Sequence, residues 1–389
     1  MMLRLALSAL LFGGLSGPLM AADLGKAGVQ DLEERVADLE ATVARKGNRK
    51  VTVTVYGQIN KAILFASDEL GPRQHGVIDN SASPTFFGLE GKGKIAKDWM
   101  AGYRLELGVD STRPIPLLDN DVQVRHSYLW LEGPMGKFSL GHTSMASDNI
   151  TRITVANTAV ASPMLSLAPL STVYFLGFDL PFNDLRRNLI RWDSPLFGGF
   201  QIAASYANGD TAFSSLINSG FNPDHAWDVA LRWSTEIKEG GGWRIAAGIG
   251  YRDENFVVNA SPISFLPFTR DRVYSGSASV MNIASGLFLS GAAARVQGET
   301  LLGGTDFDAF QLQGGWEKKL TSLGKTTIYA EWGQIRVDGA STHPFFFGGG
   351  VVQSIDAVAM DLYLAVKRID TDNGAPEVTS GMAGMRIRF

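Results

Sequence analysis

From Val51 to the C-terminus, apolar and polar side chains alternate with a period of two. Val51, Val53 and Val55 alternate with Thr52, Thr54 and Tyr56. Trp227, Val229, Leu231 and Trp233 oppose Asp228, Ala230, Arg232 and Ser234. Ala383, Met385, Ile387 and Phe389 oppose Gly384, Arg386 and Arg388. A period of two places successive side chains on opposite faces of a β-strand. The pattern fits a soluble sandwich or a barrel whose outer face meets lipid. Three features favour the barrel. Aromatics such as Trp192, Trp227, Trp233, Trp243 and Tyr251 end the apolar faces, as an interfacial girdle requires. The polar faces carry many arginines, which a sandwich core could not bury unpaired. Tight connections such as 133–136 and 321–325 alternate with long ones at 67–82, 111–120, 145–185, 209–224, 257–269 and 339–344.

The expected fold is therefore all-β: a transmembrane antiparallel β-barrel of about 16 strands over residues 51–389. An even strand count closes the sheet and leaves no backbone edge in lipid. A barrel this wide encloses water rather than a packed core. Composition agrees. Hydrophobic residues make up 45% of the chain, yet mean hydropathy is only +0.03. One-sided strands give that combination, and apolar helices do not. Cysteine is absent, which excludes disulfides and thiol chemistry. The net charge of −4 gives no basic excess for nucleic acid.

Two segments precede the barrel. Arg4, the apolar stretch from Leu5 to Leu15 and the small residues Ala21 and Ala22 read as a signal peptide over 1–22. In 23–48, Val29, Leu32, Val36, Leu39 and Val43 form a heptad seam among Asp31, Glu33, Glu34, Asp38 and Glu40. Barely two and a half heptads are marginal alone. This coiled-coil helix needs a pre-assembled oligomer, or else it lies as an amphipathic helix on the barrel.

The stretches DLEERVADLEATVARKGNRK (31–50), VYGQIN (55–60), GKFSLGHTSMASDNI (136–150), RRNLIRWDSPLFGGF (186–200), GGGVVQSIDAVAMDLYLAV (348–366) and GMAGMRIRF (381–389) carry a resemblance. The chain resembles Gram-negative porins of the trimeric, sixteen-stranded type, especially the α-proteobacterial kind. The resemblance implies residence in the Gram-negative outer membrane. It also implies a homotrimer of water-filled channels and a third outer loop folded into each channel. The candidate loop is 145–185, which has no charged residue between Arg152 and Asp179. An outward surface loop is the alternative.

Parity places Arg104, Arg125, Arg187 and Arg191 on the lumenal face near this loop. In the family a basic wall faces acidic residues on the inward loop; Asp148, Asp179 and Asp184 are the matching acids. A transverse field across a narrow gap favours polar solutes. Alternatively, single arginines merely pair with Glu106, Asp193 or Asp228. No catalytic motif appears among His75, His126, His142, His225 and His343, so no enzyme is expected. Asp370, Asp372 and Asn373 before Gly374 break off short of a calcium loop. No cofactor or metal is expected.

The functional expectation is passive diffusion of small hydrophilic solutes and ions. The alternatives are a channel selective for sugars or small organic anions, and a structural barrel whose N-terminal coil holds it to the cell wall. The expected partners are those solutes, outer-membrane lipid and two further copies of the chain.

Overall fold

A backbone amide in hydrocarbon finds no water, so each strand must be paired on both sides. The computed structural model describes residues 51–68, 71–80, 82–111, 121–162, 186–208, 221–258, 268–300, 303–341, 343–370, 372 and 377–389. The expected signal peptide (1–22), the expected coil (23–48) and residues 163–185 of the long loop lie outside them.

Among the described residues the strands are β1 (Thr54–Asp68), β2 (Gly71–Asp79), β3 (Phe86–Ala96), β4 (Trp99–Asp110), β5 (Asp121–Gly133), β6 (Gly136–Ser144), β7 (Arg186–Asp193), β8 (Phe200–Asn208) and β9 (Phe221–Ile237). They continue with β10 (Trp243–Val258), β11 (Phe268–Asn282), β12 (Leu287–Thr300), β13 (Gly303–Thr321), β14 (Gly324–Val337), β15 (Phe345–Ile355), β16 (Met360–Asp370) and β17 (Val378–Arg388). Neighbours in sequence pair antiparallel from β3 round to β17. The ring closes where β17 pairs β1, from Gln58 opposite Arg388 to Ser67 opposite Thr379.

The seventeen segments occupy sixteen wall positions. β2 pairs the upper part of β1, with Lys61 opposite Asp79, and β3 pairs the lower part, with Gln58 opposite Phe86. The two are one wall strand interrupted at 80–85. This corrects the expectation of an unpaired connection over 67–82, because 71–79 lies in the wall. The interruption is held from inside. Asn80 donates from Nδ2 to the Val160 carbonyl (2.8 Å) and to the Tyr363 hydroxyl (2.8 Å). The Tyr363 hydroxyl donates in turn to Asn60 Oδ1 at 2.7 Å.

Alternation sets the two faces. On β14, Ile328 and Trp332 are exposed, whereas Tyr329 and Glu331 between them are buried. Outward aromatics cluster near the long-loop rim, where Tyr251 lies 5.2 Å from Trp227 and 5.0 Å from Tyr274 between ring centroids. Phe200 and Trp233 stack at 5.8 Å near the opposite, short-turn rim. Aromatic rings at both ends of the apolar band match the two membrane interfaces.

The terminal residue completes the seam. Gly57 N–H donates to the Phe389 carbonyl (2.9 Å), and Phe389 N–H donates to the Gly57 carbonyl (3.0 Å). A Cβ on Gly57 would stand 2.7 Å from the Phe389 ring and 2.6 Å from the Phe86 carbonyl oxygen. Gly57→Val should therefore block closure. Folding into detergent micelles, followed by the heat-sensitive shift in electrophoretic mobility, should show loss of the compact band. A variant that still folds to wild-type yield would refute this account of the seam.

Candidate functional site

The lumen is divided by residues 145–162, which follow β6 and run along the inside of the wall. Each step is tied to a polar side chain that alternation has turned inward. Ala146 N–H donates to Ser205 and Asp228, and the Ser147 amide and hydroxyl donate to Asp228 Oδ2 at 2.6 and 2.7 Å. Arg232 donates to the carbonyls of Ala146 and Asp148, both at 2.8 Å. Further along, Val155 N–H donates to Ser279 (3.0 Å), Thr158 to Gln313 (2.6 Å) and Asn157 to Glu317 and Asp361. Ser162 donates to Glu331 at 2.7 Å, and the Lys367 ammonium donates to Ser162 at 3.1 Å. The segment thus touches the wall from β8 to β16.

Small wall residues let it lie close. A Cβ on Gly248 would be 2.6 Å from Ile153 Cδ1, and one on Gly250 would be 2.9 Å from Ser147 Cβ. Beneath its far end, Ala156, Val160 and Ala161 pack with inward Ala62, Leu64, Tyr329, Val352 and Tyr363 in an apolar cluster. On this half the interior is packed rather than aqueous, because the loop supplies the cover that lets inward apolar side chains leave water.

The opposite part of the wall, β3 to β7, remains lined by basic side chains. Glu106 is their hub. Arg104 donates from Nη2 to Glu106 Oε2 (2.6 Å) and from Nε to the Tyr56 hydroxyl (2.5 Å). Arg125 donates from Nε to Glu106 Oε1 (2.7 Å), and the Tyr56 hydroxyl donates to Glu106 Oε2 (2.9 Å). Each guanidinium also lies over a ring, Arg104 over Tyr56 at 4.9 Å and Arg125 over Phe86 at 5.2 Å. Arg125 reaches the lumen because a bulge shifts the β4–β5 register beside it.

Arg187 binds Glu254 across the intervening strands at 2.7 Å. Arg191 holds Asp193 with two bonds of 2.6 and 2.9 Å and donates to the carbonyls of Ser144 and Met145. It thereby fixes the point where the loop leaves β6. Asp148, within the loop segment itself, is buried at 3% exposed. Asp179 and Asp184 lie outside the described residues. The structure thus brings Arg104 and Arg125 together, and it sets Arg187 and Arg191 against separate carboxylates. Pairing with Glu106 and Asp193 was legible from spacing. Asp228 instead accepts loop amides, and no local sequence signal marks it, Glu331 or Asp361 as a loop anchor. Among the described residues, no group of three or more His, Asp or Glu could hold a metal ion.

A closed antiparallel barrel with an apolar band, two aromatic belts and a polar, loop-narrowed interior defines a membrane channel. Residues 6–374 match the family model described as Gram-negative porin, and the chain belongs to that family. No curated protein sequence matches the chain. Among solved structures, it is similar to the anion-selective porin from Comamonas acidovorans, with a TM-score of 0.63 and 15% identity over 87% of this chain and 100% of that one. It is also similar to in-vitro folded OmpT of Vibrio cholerae in its trimer form, with a TM-score of 0.57 and 14% identity over 87% and 99%. OmpF of Salmonella typhi follows at 0.55 and 10% identity over 87% and 98%. At these identities the likeness is one of fold. The protein is an outer-membrane channel for small solutes.

Removing the Asp228 carboxylate should free the start of the loop. Asp228→Ala leaves the Ala146 and Ser147 amides without their acceptor, a cost of roughly 2–4 kcal/mol. Single-channel recording should show larger and noisier conductance than wild type. Traces indistinguishable from wild type would refute the anchoring role.

Proposed function

We propose that Arg104, Arg125, Arg187 and Arg191 set the constriction together with the loop acids Asp148, Asp179 and Asp184, and that the channel favours anions. One observation carries the reading. The acids of the far wall, Asp228, Glu317, Glu331 and Asp361, are buried beneath the loop, whereas the guanidiniums of Arg104 and Arg125 keep 32% and 16% of their side-chain surface open. The field left in the gap is the basic one, and charge rings or patches of one sign select ions of the other. The fold's similarity to an anion-selective porin supports this.

The oligomer we propose is a homotrimer of the α-proteobacterial porin kind. Lys61 stands between Ile59 and Ile63 on the outward side of β1, ion-paired with Asp79, whose second carboxylate oxygen accepts from Ser111 N–H (2.8 Å). A charged pair at that height is costly against lipid tails and is accommodated against protein. The trimer form of OmpT supports the reading by its fold. The rest of the apolar band meets outer-membrane lipid. The segment 23–48 serves trimer assembly or holds the barrel to the cell wall.

Reversal potentials across a potassium chloride gradient test the selectivity. Wild type should favour chloride, and Arg104→Ala with Arg125→Ala should move the reversal potential towards zero. An unchanged potential in the double variant would sink the constriction assignment. Deleting 23–48 should abolish trimers if the segment assembles them, or release the barrel from isolated cell wall with conductance intact if it tethers. A deletion that changes neither would remove both roles.

A further inference from the structure

At the short-turn end of the open wall lies a cavity of about 490 Å³, inside the range of small-molecule sites. Lys137, the second residue of β6, reaches into it. Its ammonium lies 5.2 Å from the centre of the Trp130 ring and 5.8 Å from that of Tyr128. Among the described residues, Lys137 has no ion-pair partner, whereas Arg104, Arg125, Arg187 and Arg191 each hold a carboxylate. The difference matters chemically. A carboxylate neutralises a cation, but an aromatic face steadies it and leaves its charge intact. Lys137 therefore presents to the lumen a pre-positioned positive charge that no carboxylate closes on at ion-pair distance, although Glu132 and Asp193 stand opposite it on the neighbouring strands.

The surroundings narrow what would bind. Arg104, the hydroxyl of Ser139 and the amide of Gln201 line the same cavity and add donors. Tyr128 adds an aromatic surface for carbon atoms. Glu132 and Asp193 flank Lys137 on either side in register, Glu132 on β5 and Asp193 on β7. Those two acids admit a single negative charge and repel a second. Trp130 itself is seated by Gly102, where a Cβ would come within 2.3 Å of the indole, so the platform under the ammonium is fixed by packing.

We propose that this cavity is a binding subsite for small organic monocarboxylates, with Lys137 as the residue that fixes the carboxylate. The proposal rests on the channel reading above and deepens it. An anion drawn past Arg125 and Arg104 meets Lys137 last before the short-turn rim. Its passage should then saturate with concentration rather than rise in proportion.

Planar-bilayer recording of the full-length protein tests this with benzoate as probe, and with phosphate and glucose as comparisons. Chloride current in the same membranes reports that pores have formed. Benzoate should reduce that current saturably, more effectively from the short-turn side, and glucose should not. Lys137→Gln should weaken the half-blocking concentration about tenfold, which corresponds to roughly 1.4 kcal/mol, and Lys137→Arg should restore most of it. Chloride current without saturable benzoate block would overturn the subsite and leave the channel standing. Equal block by phosphate would overturn the monocarboxylate assignment. Block unaffected by Lys137→Gln would overturn the role of Lys137. Absence of any current would overturn the channel reading and the subsite together.

Discussion

Every part of this molecule follows from one requirement, that no backbone amide be left unpaired in lipid. The requirement is met only when β17 returns to β1, and the bonds that complete the return involve the last residue of the chain and a glycine near the start of the barrel. Once the ring is closed, alternation divides the side chains between two solvents. Ile328 and Trp332 face lipid, and Tyr329 and Glu331 between them face the interior. The lumen inherits the polar half of the sequence as a consequence of closure.

The polar half is then divided again. Acidic and amide side chains of β9 to β16 receive the loop, and basic ones of β4 to β7 are left facing the gap. The assignment is economical in electrostatic terms. Buried acids such as Asp228 and Glu331 accept several short hydrogen bonds from loop amides, hydroxyls and wall side chains, which offsets their desolvation. Where arginines do meet the start of the loop, Arg232 and Arg191 donate to its carbonyls rather than to its side chains. Glu106 keeps Arg104 and Arg125 apart by occupying a separate oxygen with each.

Much of this was legible in the alternation of residues such as those in β9 and β17, because lipid enforces the period so strictly. The inward orientation of Arg104 and Arg191 followed from the same parity. Arg125 is different. Strict alternation counted from Leu129 would turn it outward, and only the bulge beside it brings it back. The interruption of the second wall strand was not legible. The stretch 71–79 is short, carries Pro72 and two glycines, and has no steady period, since its pairing is fixed by β1 and by the Asn80 bonds rather than by local propensity. The loop anchors were equally hidden. Asp228 and Asp361 lie far from the loop in sequence, and the bonds they accept exist only in three dimensions.

The glycines at 248 and 250 have a meaning beyond packing. They stand behind the loop and outside the water path, yet the depth of the groove they provide determines how far Ile153 and Ser147 stand from the opposite wall. The calibre of the passage is in this sense an upholstery problem. A relative with alanine or serine in those two places would hold the loop further from its own wall. Such a family could diversify its pores by editing positions that no solute ever touches.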